Sequence, residues 1–161
     1  MKLKSILVLI ILLLSGRAGI AQTKHTAINE AWSKLKNAYL LRNANILMIT
    51  DTLLNRKAIG REDYSELSGK VGTLTDALGS VDALNKKQVA DIEAKNQAVE
   101  YAFGKLVLIS GMKFPGHYYL DQLEGLENQI QLYKRKFNDA CKAYKRKDLL
   151  LTLEPPPKVK F

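Results

Sequence analysis

The apolar residues of this chain recur every three or four positions, and this spacing constrains the fold more than any other feature of the sequence. In the first such stripe the steps alternate between four and three residues without interruption. Its members are Ile28, Trp32, Leu35, Tyr39, Arg42, Ile46, Ile49 and Leu53. A mean repeat of 3.5 residues keeps one narrow stripe of a helix facing a partner helix, as in left-handed bundles. The pattern therefore predicts a helix that packs lengthwise against others.

Three further stretches share this spacing, so the sequence predicts four helices. They cover residues 26–59, 62–79, 82–111 and 118–148. A stretch of about 30 residues forms a helix about 45 Å long. The expected fold class is all-α, an elongated antiparallel four-helix bundle.

The break between the second and third helices has an alternative interpretation. Gly79 is a suitable helix stop, and Ser80 or Asp82 is a suitable N-cap for the next helix. However, the apolar stripe almost continues through residues 79–82. A single helix over residues 62–111 would give a three-helix fold, but its length of about 75 Å would overhang its neighbours. We therefore prefer four helices.

The first 21 residues are typical of a secretory signal. A basic start precedes an apolar run at residues 6–14, and the small residues Gly19 and Ala21 suit a cleavage site before Gln22. Nine helical residues rise only about 14 Å, against a membrane core of about 30 Å. We expect an exported protein, periplasmic or associated with the cell envelope, and membrane-anchored if the signal is retained.

The predicted domains are the signal peptide (residues 1–21), the helical bundle (22–148) and a C-terminal tail (149–161). The tail begins with leucines that we expect to dock on the bundle, and its three consecutive prolines cannot continue a helix. The single Cys141 has no cysteine to pair with inside the chain, so we expect it to pack as a small apolar residue.

The net charge of the chain is +9, and it falls to +6 without the predicted signal peptide. This basic bias is compatible with attraction to anionic lipid or to another acidic surface. An exported location makes nucleic acid an improbable partner.

The stretch "LEGLENQIQLYKRKFNDACKAY" at residues 123–144 begins with the pattern L-E-G-x-E-N-x-I and contains an aromatic–Asn pair, Phe137 and Asn138. In these features it resembles the last helix of the LemA family. "AWSKLKNAYLLR" at residues 31–42 is similar to the family's first helix. The resemblance implies a helical bundle on the periplasmic or outer side of a membrane. It also implies a role in the envelope without an established enzyme activity.

Arg42 is the most informative polar residue, because it lies within the apolar stripe of the first helix. A buried guanidinium needs a partner, since an unpaired buried charge costs several kcal/mol, on the order of 3–5. Antiparallel pairing of the first and last helices brings residue 42 close to residue 132. We therefore expect Arg42 to pair with Glu127 or Glu100, with Tyr133 nearby. In the alternative, Arg42 lies at the edge of the stripe and its charged end reaches water.

The second half of the last predicted helix is strongly basic. Its cations are Lys134, Arg135, Lys136, Lys142, Lys145, Arg146 and Lys147. Such a run usually forms a solvated helix face. The functional alternative is contact with an anionic membrane surface, where each basic residue contributes about 1 kcal/mol.

The sequence shows no pattern of residues that would support catalysis or metal binding. His25 and His117 have no second metal-type ligand at helical spacing, and no nucleophile is accompanied by a base. We expect no catalytic residue, metal or cofactor, and therefore not an enzyme. The expected function is binding to other envelope proteins. The alternative is a peripheral membrane module that binds anionic lipid through its basic last helix.

Overall fold

A computed structural model describes the backbone of residues 2–79, 84–111 and 117–153, and the side chains of residues 26–79, 84–111 and 119–153. This part of the chain forms four α-helices and no strand. They are α1 (Lys2–Asn55), α2 (Arg61–Gly79), α3 (Lys86–Ser110) and α4 (His117–Ala143). A short 3-10 turn follows at Lys147–Leu149. The side chains on which the signal-peptide prediction rests lie outside this description. The side chains of His25 and His117 do so too.

The predicted all-helical bundle is confirmed. The helices pack most closely in the pairs α1 with α4, α2 with α3, and α1 with α2. Because α2 and α3 lie side by side, the alternative of one continuous helix over residues 62–111 is wrong. In contrast, α3 and α4 contact each other only sparsely along their described residues, and the 3-10 turn touches both of them.

The core is built from the predicted stripes. Every position of the α1 stripe, from Ile28 to Leu53, is buried. The rings of Trp32 on α1 and Phe137 on α4 lie 5.8 Å apart, centre to centre. Arg42 lies ten residues after Trp32 on α1, and its partner Glu127 lies ten residues before Phe137 on α4. These two helices therefore run antiparallel. Each fully buried aliphatic or aromatic side chain stabilises the fold by about 1.5–3 kcal/mol.

Two helices end earlier than the sequence predicts. The expectation was residue 59 for the first and residue 148 for the last, whereas α1 ends at Asn55 and α4 at Ala143. Each is followed by a lysine with positive φ, Lys57 (54°) and Lys145 (59°). At both ends the next amide bonds back to the carbonyl five residues earlier, from Ala58 to Leu53 and from Arg146 to Cys141. This is the Schellman arrangement, usually formed by glycine.

The start of α3 also differs from the prediction. Its N-cap is Asn85, not Ser80 or Asp82, which lie outside the described residues. The Asn85 side chain accepts a hydrogen bond from the Gln88 amide, and the Gln88 side chain accepts one from the Asn85 amide, both at 3.0 Å. This capping box satisfies two of the free amides at the helix start, and it places Lys86 and Lys87 in the first turn.

Candidate functional site

Arg42 lies at the centre of a polar cluster inside the bundle. Its side chain is fully buried, so the alternative in which the guanidinium reaches water is wrong. One terminal nitrogen, Nη1, donates to Glu100 Oε1 at 3.1 Å and to Glu127 Oε1 at 3.3 Å. The other, Nη2, donates to Asn96 Oδ1 at 2.7 Å and to Asn43 Oδ1 at 3.2 Å. The structure therefore brings Arg42 together with both expected carboxylates.

The cluster joins all four helices. Arg42 and Asn43 come from α1, Asn96 and Glu100 from α3, and Glu127 from α4. Asn96 also donates to Glu100 at 2.7 Å. The Asn43 amide reaches the hydroxyl of Thr75 on α2 at 3.4 Å. Along their described residues, α3 and α4 make few direct contacts with each other. Arg42 links them through α1, because its guanidinium binds Glu100 on α3 and Glu127 on α4.

The aromatic ring at cation–π distance from Arg42 is that of Tyr39, and the expected proximity of Tyr133 stays a prediction. The guanidinium carbon lies 5.5 Å from the centre of the Tyr39 ring, a cation–π distance. Tyr133 instead accepts a hydrogen bond from Gln129 and lies beneath the ammonium of Lys136. Tyr39 is one helical turn from Arg42 on the same helix, which is why the two side chains overlap.

Burial shapes the electrostatics of this cluster. It raises the pKa of the Glu127 carboxyl, and the charge of Arg42 only partly opposes this. Burial likewise raises the pKa of the Tyr39 phenol. Glu100 and Glu127 keep 33% and 26% of their side-chain surface exposed, so water reaches the carboxylates but not the guanidinium. The Arg42 side chain has no exposed surface, so its charge is directed to its partners within the bundle.

The predicted basic residues do not form one surface. Arg135, Lys136, Lys142, Lys145 and Lys147 are exposed, whereas Arg146 is half-buried. Arg146 forms an ion pair with Asp148 at 2.9 Å.

Lys134 is a correction to the predicted anionic-surface set, because it is buried and 3% exposed. Its ammonium donates to the carbonyl of Thr152 at 3.4 Å. The tail that follows α4 folds back and covers this lysine, which therefore cannot contact an external anionic surface.

The tail docks between α4 and α3, as expected for its leucines. Leu149 and Leu151 are buried, whereas Leu153 is 43% exposed. The buried Asn138 exchanges two hydrogen bonds of 2.9 Å with the backbone of Leu151. The amide of Thr152 donates to Glu93 Oε1 on α3 at 2.6 Å. The prolines and Phe161 of the tail lie outside the described residues.

An apolar groove runs along the outer face between α1 and α4. It has a volume of about 510 Å³ and is open to solvent. Its residues are Leu41, Ala44, Asn45, Met48, Gln122, Gly125 and Leu126. Leu41 and Met48 are 58% and 42% exposed although both are large and apolar. Sequence analysis missed this groove, because these residues lie beside the buried stripe and no local signal shows that α4 leaves them uncovered.

The described residues hold no arrangement suited to catalysis by a metal or a thiol. No group of three His, Cys, Asp or Glu side chains among them is placed to hold a metal ion. Cys141 is fully buried, and burial raises the pKa of its thiol to about 11. It packs as a small apolar residue, as expected.

Comparison with protein-family models, with curated proteins and with solved structures finds no match to this chain. Within the part of the chain that the structure describes, no helix contains a segment long and apolar enough to cross a membrane.

Proposed function

We propose that this chain is a non-catalytic, exported binding protein of the cell envelope. In this proposal the groove between α1 and α4 accepts an apolar segment of another envelope protein. The exposed apolar side chains of Leu41 and Met48, about two helical turns apart along that groove, are the observation that carries it. The secretory character of residues 1–21 and the resemblance of residues 31–42 and 123–144 to the LemA family support an envelope location.

The shape of the groove favours a protein segment over a small ligand. Small-molecule sites enclose most of their ligand, whereas this groove is open along its length. The missing side chain of Gly125 leaves space on α4 opposite the α1 side chains, and a Cβ there would touch nothing within 4 Å. An apolar helix laid along such a groove buries one stripe of its own side chains.

Site-specific crosslinking in the native envelope tests this proposal. A photoreactive residue at position 48 should give a defined crosslinked product, and the additional substitution Leu41→Glu should abolish it. The matched control is a photoreactive residue at position 108, since Leu108 is an exposed leucine on α3 (83%) away from the groove. Equal products from both positions, or none from position 48, would reject the groove as the binding surface.

A second candidate function is binding to anionic lipid, and it is favoured by the exposed basic residues after the middle of α4. Cosedimentation with vesicles tests it. Binding should require anionic lipid and should weaken as salt is added, because surface charges are screened over about 8–10 Å. Equal binding to neutral and anionic vesicles would exclude this function.

A further inference from the structure

Two parts of the chain that are distant in sequence bring their lysines to one end of the bundle. α3 begins at Lys86 and α4 ends at Ala143, and in an antiparallel bundle these points lie at the same end. Two contacts show that they are close. The 3-10 turn that follows α4 contacts both α4 and α3. Glu93, two turns into α3, binds the Thr152 amide of the tail.

We name this surface the basic end, and define it by five exposed lysines. They are Lys86, Lys87, Lys142, Lys145 and Lys147. The nearby carboxylates are already engaged: Asp148 pairs with Arg146, and Asp139 lies 3.8 Å from Lys142. Among the described residues, Lys86, Lys87, Lys145 and Lys147 form no ion pair. Within the described residues, the basic end therefore carries four exposed lysines without an ion-pair partner.

The opposite end of the bundle mixes cations with acidic residues in its described part. The cations there form no ion pair with another described residue either, and they are Arg56, Lys57 and Arg61. However, Glu62 and Asp63 lie in the first turn of α2, and the Asp63 carboxylate is 3.7 Å from the Lys105 ammonium. Among the residues named for the two ends, positive charge is therefore denser at the basic end, which we call the positive pole.

The chain enters the bundle at this positive pole. α1 packs against α4 with Trp32 beside Phe137, so the start of the packed part of α1 lies level with the end of α4. The apolar run at residues 6–14 is joined to the bundle at that end. If the signal is retained, this apolar run and the basic end together supply two signals for membrane attachment. If it is cleaved, the basic end alone remains to contact a lipid surface.

We propose that the basic end faces an anionic lipid surface and that the bundle stands end-on upon it. This inference rests on the second candidate function and specifies its contact surface. Arg135 and Lys136 lie about two helical turns before the end of α4, or about 10–12 Å from it. Because that distance exceeds the Debye length of about 8 Å at physiological salt, these two residues contribute little in an end-on orientation.

Vesicle cosedimentation with paired variants tests the orientation. The protein is used in the form recovered from expressing cells, with phosphatidylcholine vesicles that contain or lack phosphatidylglycerol. Lys86→Gln with Lys87→Gln should weaken binding to the anionic vesicles about 30-fold, from about 1 kcal/mol per lysine. The matched control, Arg135→Gln with Lys136→Gln, removes the same charge from the side of α4 and should change binding less than threefold. All four residues are exposed, and far-UV circular dichroism verifies that each variant is folded.

The outcomes separate the orientation from the function. If the α4 variant (Arg135→Gln with Lys136→Gln) binds more weakly and the α3 variant (Lys86→Gln with Lys87→Gln) does not, the protein binds anionic lipid through the side of the bundle. The end-on orientation is then overturned. If the wild-type protein binds neutral and anionic vesicles equally, the proposed lipid-binding function is rejected, and the proposed orientation is rejected with it. If only the α3 variant binds anionic vesicles more weakly, both the lipid-binding function and the end-on orientation are supported.

Discussion

The replacement of Arg42 by methionine tests whether the buried polar cluster holds the bundle together. Methionine keeps most of the apolar stem of arginine but removes four hydrogen bonds, two of them to carboxylates. Removing one partner of a buried ion pair costs about 3–5 kcal/mol, because the remaining charge stays desolvated. Glu100 and Glu127 retain 33% and 26% exposure and can recover part of their hydration, so we expect the lower end of this range, about 3 kcal/mol.

Urea unfolding followed by far-UV circular dichroism measures this loss. A change of about 3 kcal/mol corresponds to a decrease in Tm of about 10 °C for a bundle of this size. The matched control is Arg135→Met, which removes an exposed arginine from α4 and should change the free energy of unfolding by less than about 0.5 kcal/mol. An Arg42→Met protein as stable as this control would show that the cluster contributes nothing to stability.

A triple variant distinguishes unpaired charge from lost packing. In Arg42→Met combined with Glu100→Gln and Glu127→Gln, no buried charge remains. If desolvated carboxylates cause the loss, this triple variant should regain at least about 1 kcal/mol relative to Arg42→Met. A triple variant less stable than Arg42→Met would contradict the electrostatic explanation.

Three further predictions concern other parts of the bundle. The folded-state pKa of Glu127 is raised above 4.5, so the folded protein holds this proton more tightly than the unfolded chain does. The stability of the wild type relative to Glu127→Gln should therefore be greatest below about pH 4.5 and should fall as pH rises through the higher folded-state pKa, in parallel urea titrations. Asn138→Ala removes both hydrogen bonds to Leu151 and should abolish hydrogen-exchange protection of the Leu151 amide; unchanged protection would mean that the leucines alone dock the tail. Gly72→Ala, in the exposed middle of α2 where a Cβ meets nothing within 4 Å, should stabilise the protein by about 0.5–1 kcal/mol in thermal unfolding, and a lower Tm would count against this.

The sequence was sufficient to predict four helices and to place Arg42 in the apolar stripe of the first one, but it left open whether the guanidinium is buried or reaches water. A regular apolar stripe indicates which residues of a helix face the core. A charged residue within that stripe, if buried, requires an opposite charge on a neighbouring helix. Antiparallel pairing then restricts the choice of partner on the last helix to residues near 132. The cation–π partner Tyr39 was not predicted, because an aromatic neighbour was sought across the bundle, whereas Tyr39 lies one turn away on the same helix.

Helix ends were less predictable, because the residues that terminate α1 and α4 do not have the usual chemistry. Glycine is the residue expected in the left-handed conformation of a Schellman end, and here Lys57 and Lys145 adopt it instead. A lysine carries no local signal for that conformation. Only the packing of the following segment against the bundle selects it.

Whether an individual basic residue is buried or exposed, and which cations lie near it, also depends on distant parts of the chain. Lys134 appears in the sequence as one of seven similar cations, but it is buried because residues 149–153 return over it. Lys86 and Lys87 were not singled out, since they lie in a different helix from the basic run. Their proximity to Lys145 and Lys147 is a property of helix order, which a local pattern does not encode.

The docked tail has a consequence for the order of assembly in the cell. Residues 149–153 leave the ribosome after all four helices, and they bridge the one neighbouring helix pair, α3 and α4, whose described residues make few contacts of their own. The four helices can thus form during synthesis before residues 149–153 have emerged, whereas the contacts that bridge α3 and α4 through these residues form only afterwards.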